Sequence, residues 1–309
     1  MKIGRGVHLT RGKGCGHCPG SHTGERPCLA TATVKAGAWL LLEHPGPWPE
    51  RVTDLAGPGP VAEAVRAAKK AGVRPQLIRR AGRRRATPPL QVYAAFSRGD
   101  EVWIEGRELA DPAELAALDL RALAEGRSPG LGDPAPEPVL LVCAHGRRNA
   151  CCARTGGPLA RSLAARFERL IWETTHVGGD RFAANLVCLP HALSYGDLGE
   201  TEAVAAVDAY LRGEVVLDRL RGRAGTPEPA QAAEHFVRLH TGYLGVDGLR
   251  VESVTGTSRY EAVVAVRQSR YRVIVEPVQQ PDPCGTGCAE NQRTYVVREL
   301  TLLNEAALV

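Results

Sequence analysis

Short apolar runs alternate with helical patterns along this chain, and the alternation occurs twice. Residues 38–43 (Ala-Trp-Leu-Leu-Leu-Glu) are almost wholly apolar and stop at His44-Pro45-Gly46-Pro47-Trp48-Pro49, the profile of a buried strand and its breaker. A helical pattern follows over 61–71, with Val61, Val65 and Ala68 on one face and Gly72 as the stop. Strands are expected at 76–80, 91–97 and 101–105, with Arg98-Gly99-Asp100 as a turn, and then a helix from Asp111-Pro112 to about Leu123. Residues 125–138 carry three glycines and four prolines, a linker composition. The order then recurs. Residues 139–143 read as a strand, 151–167 as a helix with Leu159, Leu163 and Phe167 at four-residue spacing, and 170–174, 185–189 and 192–198 as strands. A helix over 201–211 has Thr201 as start chemistry and Gly213 as its stop.

Two β-α-β…β-α halves predict a duplicated α/β unit. The first half has Glu43-His-Pro-Gly where the second has Cys143-Ala-His-Gly, so it reads as a copy without the thiol. The last stretch differs: a helix at 230–240, then strands at 249–254, 262–267, 271–276 and 294–300, with clear alternation in Tyr271–Glu276. It reads as a small antiparallel α+β appendage over 228–309. Residues 1–30 are Gly-rich and aperiodic, an irregular arm. The expected domains are therefore 1–30, 31–125, 138–222 and 228–309.

Composition adds little until the cysteines are counted. The 309 residues are 44% hydrophobic and 24% charged, as in ordinary globular proteins. No apolar run is long enough to span a bilayer, and the start lacks a signal core, so a soluble, cytoplasmic protein is expected. The formal charge of +5 is modest. The run Arg79, Arg80, Arg83, Arg84, Arg85 reads as a solvated loop or a patch for an acidic partner; sparse aromatics weaken a nucleic-acid reading. Nine cysteines (15, 18, 28, 143, 151, 152, 188, 284 and 288) in a reducing compartment favour metal binding or catalysis over disulfides.

Most of the chemistry lies in Cys143-Ala-His145-Gly-Arg-Arg-Asn-Ala-Cys151-Cys152 and His176-Val-Gly-Gly-Asp180. Cys143 ends a strand, Cys152 starts the next helix and His176 follows the next strand, so the topology of an α/β unit brings them together. Two Cys, a His and a fourth ligand suit a [2Fe–2S] cluster or a zinc ion. Cys151 points away from its neighbour's direction, His145 reads as a turn cap, His191 as a surface residue, and Cys188 as a buried apolar side chain. Asp180 is either a hard ligand in a soft set or a turn cap. Cys15-Gly-His-Cys18 has the spacing of a thiol–disulfide motif, and with Cys28 also of a zinc site. No carboxylate pair of the kind glycoside hydrolysis uses is evident.

These motifs, with Trp172-Glu-Thr-Thr-His176, Asn185 and Leu189-Pro-His-Ala-Leu-Ser-Tyr195-Gly, resemble the sucrase/ferredoxin-like family, from about residue 18 to 300. The resemblance implies a thioredoxin-like fold related to [2Fe–2S] ferredoxins, and hence two thioredoxin-like units in tandem. Carried over by position, it implies Cys143, Cys152 and His176 as cluster ligands, with Asp180 where the family has a second histidine. The fourth ligand is then Asp180, Cys151, Cys188, Cys284 or Cys288. The expected function is one-electron transfer or redox sensing with a redox partner protein, more a carrier than an enzyme and without sugar hydrolysis. The alternatives are a thiol–disulfide oxidoreductase using Cys15/Cys18 or Cys151/Cys152, and a zinc-stabilised binding module.

Overall fold

The computed structural model describes residues 29–82, 89–279 and 293–305. The first half runs β1 (Ala38–Glu43), α1 (Pro60–Ala71), β2 (Arg74–Arg79), β3 (Leu90–Arg98), β4 (Glu101–Leu109) and α2 (Leu120–Ala124). The second runs β5 (Val139–Cys143), α3 (Gly157–Arg166), β6 (Ile171–Thr174), β7 (Leu186–Leu189), β8 (Leu193–Tyr195) and α4 (Glu200–Leu211). There follow β9 (Leu220–Arg223), α5 (Glu228–Thr241), β10 (Leu249–Gly256), β11 (Tyr260–Val266), β12 (Ser269–Gln279) and β13 (Arg293–Glu305).

β1 to β9 form one mixed sheet in the order β4-β3-β1-β2-β6-β5-β7-β8-β9. Each half repeats one pattern. β1 lies parallel to β2 and antiparallel to β3, as β5 lies parallel to β6 and antiparallel to β7. The halves join where β2 meets β6 antiparallel, with Ile78 opposite Thr174 and Arg79 opposite Glu173. β1 and β5 are buried along their whole length because both faces of the sheet are covered, which is why they read as continuous apolar runs. On one face α1 covers Leu40, Leu42 and Leu77, and α3 and α4 cover Leu140, Val142 and Cys188. On the other, Trp39, Leu41 and Ile78 share a core with Leu141, Cys143, Trp172 and Val187, so the two halves have one common interior there. β10 to β13 make a separate antiparallel sheet, packed by α5 through Ala232, Ala233 and Val237.

Several expectations are corrected. The helix expected from Asp111 to Leu123 is two pieces, a 3-10 segment Pro112–Ala117 and then α2, because Asp119 caps a second start by accepting from the amides of Arg121 and Ala122. The helix after β5 opens with a π-helical stretch, Cys152–Gly156. α4 starts behind Gly199 without a side-chain cap, so Thr201 does not play that part. The Gly/Pro-rich stretch 125–138 packs on the fold: Leu131 is fully buried and Ala135 donates to the Ile104 carbonyl of β4. β9 was not evident in the pattern. Arg79 lies in β2, 2.7 Å from Glu173 and over the Trp48 ring, while Arg80 stacks 3.6 Å from Trp172. Those two arginines are built into the seam between the halves and do not form a solvated loop; Arg83, Arg84 and Arg85 lie outside the described residues. No helix among the described residues is long and apolar enough to cross a membrane.

Candidate metal centre

Cys143 is the last residue of β5, and its amide donates to Asn185 at 3.0 Å, fixing the strand end beside β7. The chain then turns tightly through His145 and Gly146 into Cys151 and Cys152. A methyl group on Gly156 would overlap the Cys143 carbonyl, so the π-helical stretch lies directly against the strand end only because position 156 is glycine. Gly146 faces the Ala153 methyl group in the same way. These close approaches bring Cys152 beside Cys143. Both are buried, at 1% and 0% exposure.

His176 arrives on the loop after β6. That loop is pinned to the first half: the Thr175 amide donates to Leu77 at 3.0 Å, and the Leu77 amide donates to Thr175 Oγ1 at 3.1 Å. The His176 amide donates to His145 Nδ1 at 3.1 Å, while His145 Nε2 donates to the Pro49 carbonyl at 2.7 Å. His145 therefore bridges the halves and positions His176. Arg74 Nη2 donates to the His176 carbonyl at 3.0 Å. Arg221, 2% exposed, donates to the Gly178 carbonyl at 3.1 Å and Asn185 Oδ1 at 2.8 Å, and a side chain at Gly179 would collide with its guanidinium.

The result is a group in which one donor atom each from Cys143, Cys152 and His176 lies within 4.8 Å of the others, with Cys152 Sγ 3.8 Å from His176 Nδ1. The two thiols share a proton unequally. The Cys152 S–H held toward Cys143, helped by His176, pulls the Cys143 pKa well down despite burial. The Cys152 pKa is pushed up, first by that bond and then by burial. One thiolate is thus favoured before any metal binds, and thiolate is the ligating form. Two sulfurs and an imidazole are a soft-to-borderline donor set that fits iron–sulfur or zinc chemistry.

Asp180 is not among the atoms that close to 4.8 Å. Its carboxylate accepts from Asn149 Nδ2, Asn149 Oδ1 in turn accepts from the Cys151 amide at 2.9 Å, and the Asp180 charge opposes ionisation of Cys152. Asp180 lies near enough for its charge to act on Cys152 and is held by the turn that carries the cysteines. Cys151 is buried outside the group. Cys188 lies on the opposite face of the sheet, among Leu140, Leu186 and Leu193, and burial pushes its thiol far up. His191 is not a free surface residue: its Nδ1 is 2.7 Å from the Tyr210 hydroxyl. Cys15, Cys18, Cys28, Cys284 and Cys288 lie outside the described residues. Arg74, Gln76 and Arg221 had no signal in the sequence: they are ordinary polar residues up to about a hundred positions away, and only strand pairing places them here. Asn149 lies inside the Cys143–Cys152 stretch, but nothing in the pattern tied it to Asp180.

The sequence profile of the sucrase/ferredoxin-like family matches residues 29–222, more than half of the chain. Among curated proteins and among solved structures, nothing matches.

Proposed function

The chain belongs to the sucrase/ferredoxin-like family, and from that premise we propose that it is an iron–sulfur protein acting in one-electron transfer or redox sensing. The observation that carries the reading is the convergence of Cys143, Cys152 and His176 donor atoms within 4.8 Å. In it, Cys143, Cys152 and His176 would hold a [2Fe–2S] cluster, and Asp180, four residues past His176 on the same loop but outside the converging group, would be its fourth ligand. Such a cluster supplies a one-electron couple whose potential depends on ligand type, hydrogen bonding and burial. The protein's part is then to hold the ligands and exclude water. The buried sulfurs form the dry side of the site. His176 is only partly buried, with its Nδ1 turned to Cys152. The shared strand order of the two halves supports reading each as a thioredoxin-like unit, the first without ligands. We place the protein in the cytoplasm, with a protein redox partner.

Two other readings remain distinct. A zinc-stabilised binding module would use the same donors. A thiol–disulfide oxidoreductase at Cys151/Cys152 is disfavoured by burial, since both thiols are buried and exchange requires an accessible thiolate; Cys15 and Cys18 lie outside the described residues. Anaerobic purification with iron, sulfide and zinc analysis separates all three. The expected result is red-brown protein with iron and sulfide and a paramagnetic reduced state, lost in Cys143→Ser, Cys152→Ser and His176→Ala and retained in Cys188→Ala. Asp180→Ala is expected to keep iron less tightly. Colourless, iron-free protein overturns the iron–sulfur reading, and zinc in its place favours the binding module.

A further inference from the structure

The first half carries no thiol, yet its β2 strand reaches the centre. Arg74, its first residue, directs a guanidinium N–H at the carbonyl of His176, 3.0 Å away, and lies 5.3 Å from the Trp39 ring centroid. Gln76, with its oxygen turned toward Arg74, accepts from Arg74 Nε at 2.8 Å. Among the described residues Arg74 makes no ion pair with a carboxylate. A desolvated guanidinium without an anion is costly. Desolvation is the main reason its pKa is lowered to about 10; the Cys143 sulfur favours its charge and Arg221 opposes it. What places its charge at the centre is geometry: the guanidinium sits on the backbone carbonyl of His176, one of the three converging donor residues.

We propose that Arg74 is a positioning residue of the thiol-bearing half: a cation lent by the thiol-less half that sets the reduction potential of the centre at Cys143, Cys152 and His176. The inference rests on the redox reading above. Reduction by one electron adds one negative charge to the centre. A fixed positive charge beside the ligands stabilises that reduced form more than the oxidised form and so raises the midpoint. This gives the duplicated half a role: it supplies charge and a clamp on the His176 loop, where the other half supplies ligands.

The test is the reduction midpoint of the full-length, metal-loaded protein, titrated with dithionite and followed by visible absorption and electron paramagnetic resonance. The forms compared are wild type, Arg74→Lys, Arg74→Gln and Arg74→Met, with circular dichroism and iron content as controls for folding and loading. Both neutral variants are expected to shift the reduction equilibrium at least about tenfold toward the oxidised form, ~59 mV for a one-electron couple, while Arg74→Lys stays within about threefold of wild type. Loaded neutral variants with an unmoved midpoint overturn the inference and leave the iron–sulfur reading intact. Loss of the centre in all three variants alike assigns Arg74 to hydrogen bonding alone and also overturns it. A wild-type protein without a redox-active centre overturns the functional reading itself, and the inference with it.

Discussion

A methyl group at position 156 would overlap the carbonyl oxygen of Cys143, a backbone atom held in place by β5. Neither partner can turn aside as a flexible side chain would. Gly156→Ala is therefore expected to push the Cys152–Gly156 stretch away from the strand end, costing about 1–3 kcal/mol, the usual range for overpacking. Denaturant midpoints of the metal-free protein measure the stability loss, and metal content measures the separation of Cys152 from Cys143. A stability unchanged from wild type would contradict the close approach. At this scale the convergence of Cys143, Cys152 and His176 was readable, because Cys and His at strand and helix ends have few structural uses that produce this spacing. The supporting residues were not: Asn149 holds Asp180 by a contact between positions 31 residues apart.

At the scale of elements, the decisive feature is the seam between β2 and β6. Only two residue pairs register there, and side chains carry much of the rest. Glu173 accepts from Arg79 at 2.7 Å, with the two side chains 9% and 20% exposed. Glu173→Gln keeps the shape and removes the charge, and is expected to cost about 1–3 kcal/mol, as for hydrogen bonds to charged groups. A double-mutant cycle with Arg79→Met isolates the pair, and a coupling energy near zero would show that the seam is held by packing alone. β1, β5 and α1 were legible, because a strand buried on both faces must be apolar throughout and Gly72, at φ 86°, ends α1 as the composition requires. The second cap at Asp119 and the π-helical stretch were not. The one is a second capping aspartate within a single helical pattern, and the other depends on contacts with β5.

Across the whole molecule, the appendage is tied to the family-matched region by Gln231 of α5, 2% exposed. It donates to the carbonyls of Ala32 at 3.1 Å and Thr226 at 2.7 Å, and its Oε1 accepts from the Ala32 amide at 3.2 Å. Gln231→Ala removes the donor to the Ala32 and Thr226 carbonyls, while the Ala32 amide keeps the Arg221 carbonyl at 3.3 Å, and is expected to lower stability by about 1–3 kcal/mol. The loss should be visible as a shifted thermal midpoint or as earlier unfolding of the appendage. Stability should also depend on pH through half-buried histidines. Burial is the largest cause of a lowered pKa at His44, His191 and His235. Each binds fewer protons folded than unfolded as pH falls through the unfolded value near 6.5, so stability is complete above that value and declines below it. Urea midpoints of the protein at pH 7.5 and 5.5 measure this; an equal or higher midpoint at 5.5 would refute the sign.

The sequence alone picked out Cys143, Cys152 and His176, which the fold brings together, the repeated order of elements and the antiparallel end of the chain. Those follow from local rules: apolar periodicity, glycine stops, and the scarcity of other reasons for Cys and His at such spacing. The joining of two halves into one nine-stranded sheet, the opposite faces taken by Cys143 and Cys188, and the Arg74 guanidinium at the His176 loop were decided by tertiary structure. Each depends on which strands pair across some hundred residues, and neither composition nor periodicity carries that information.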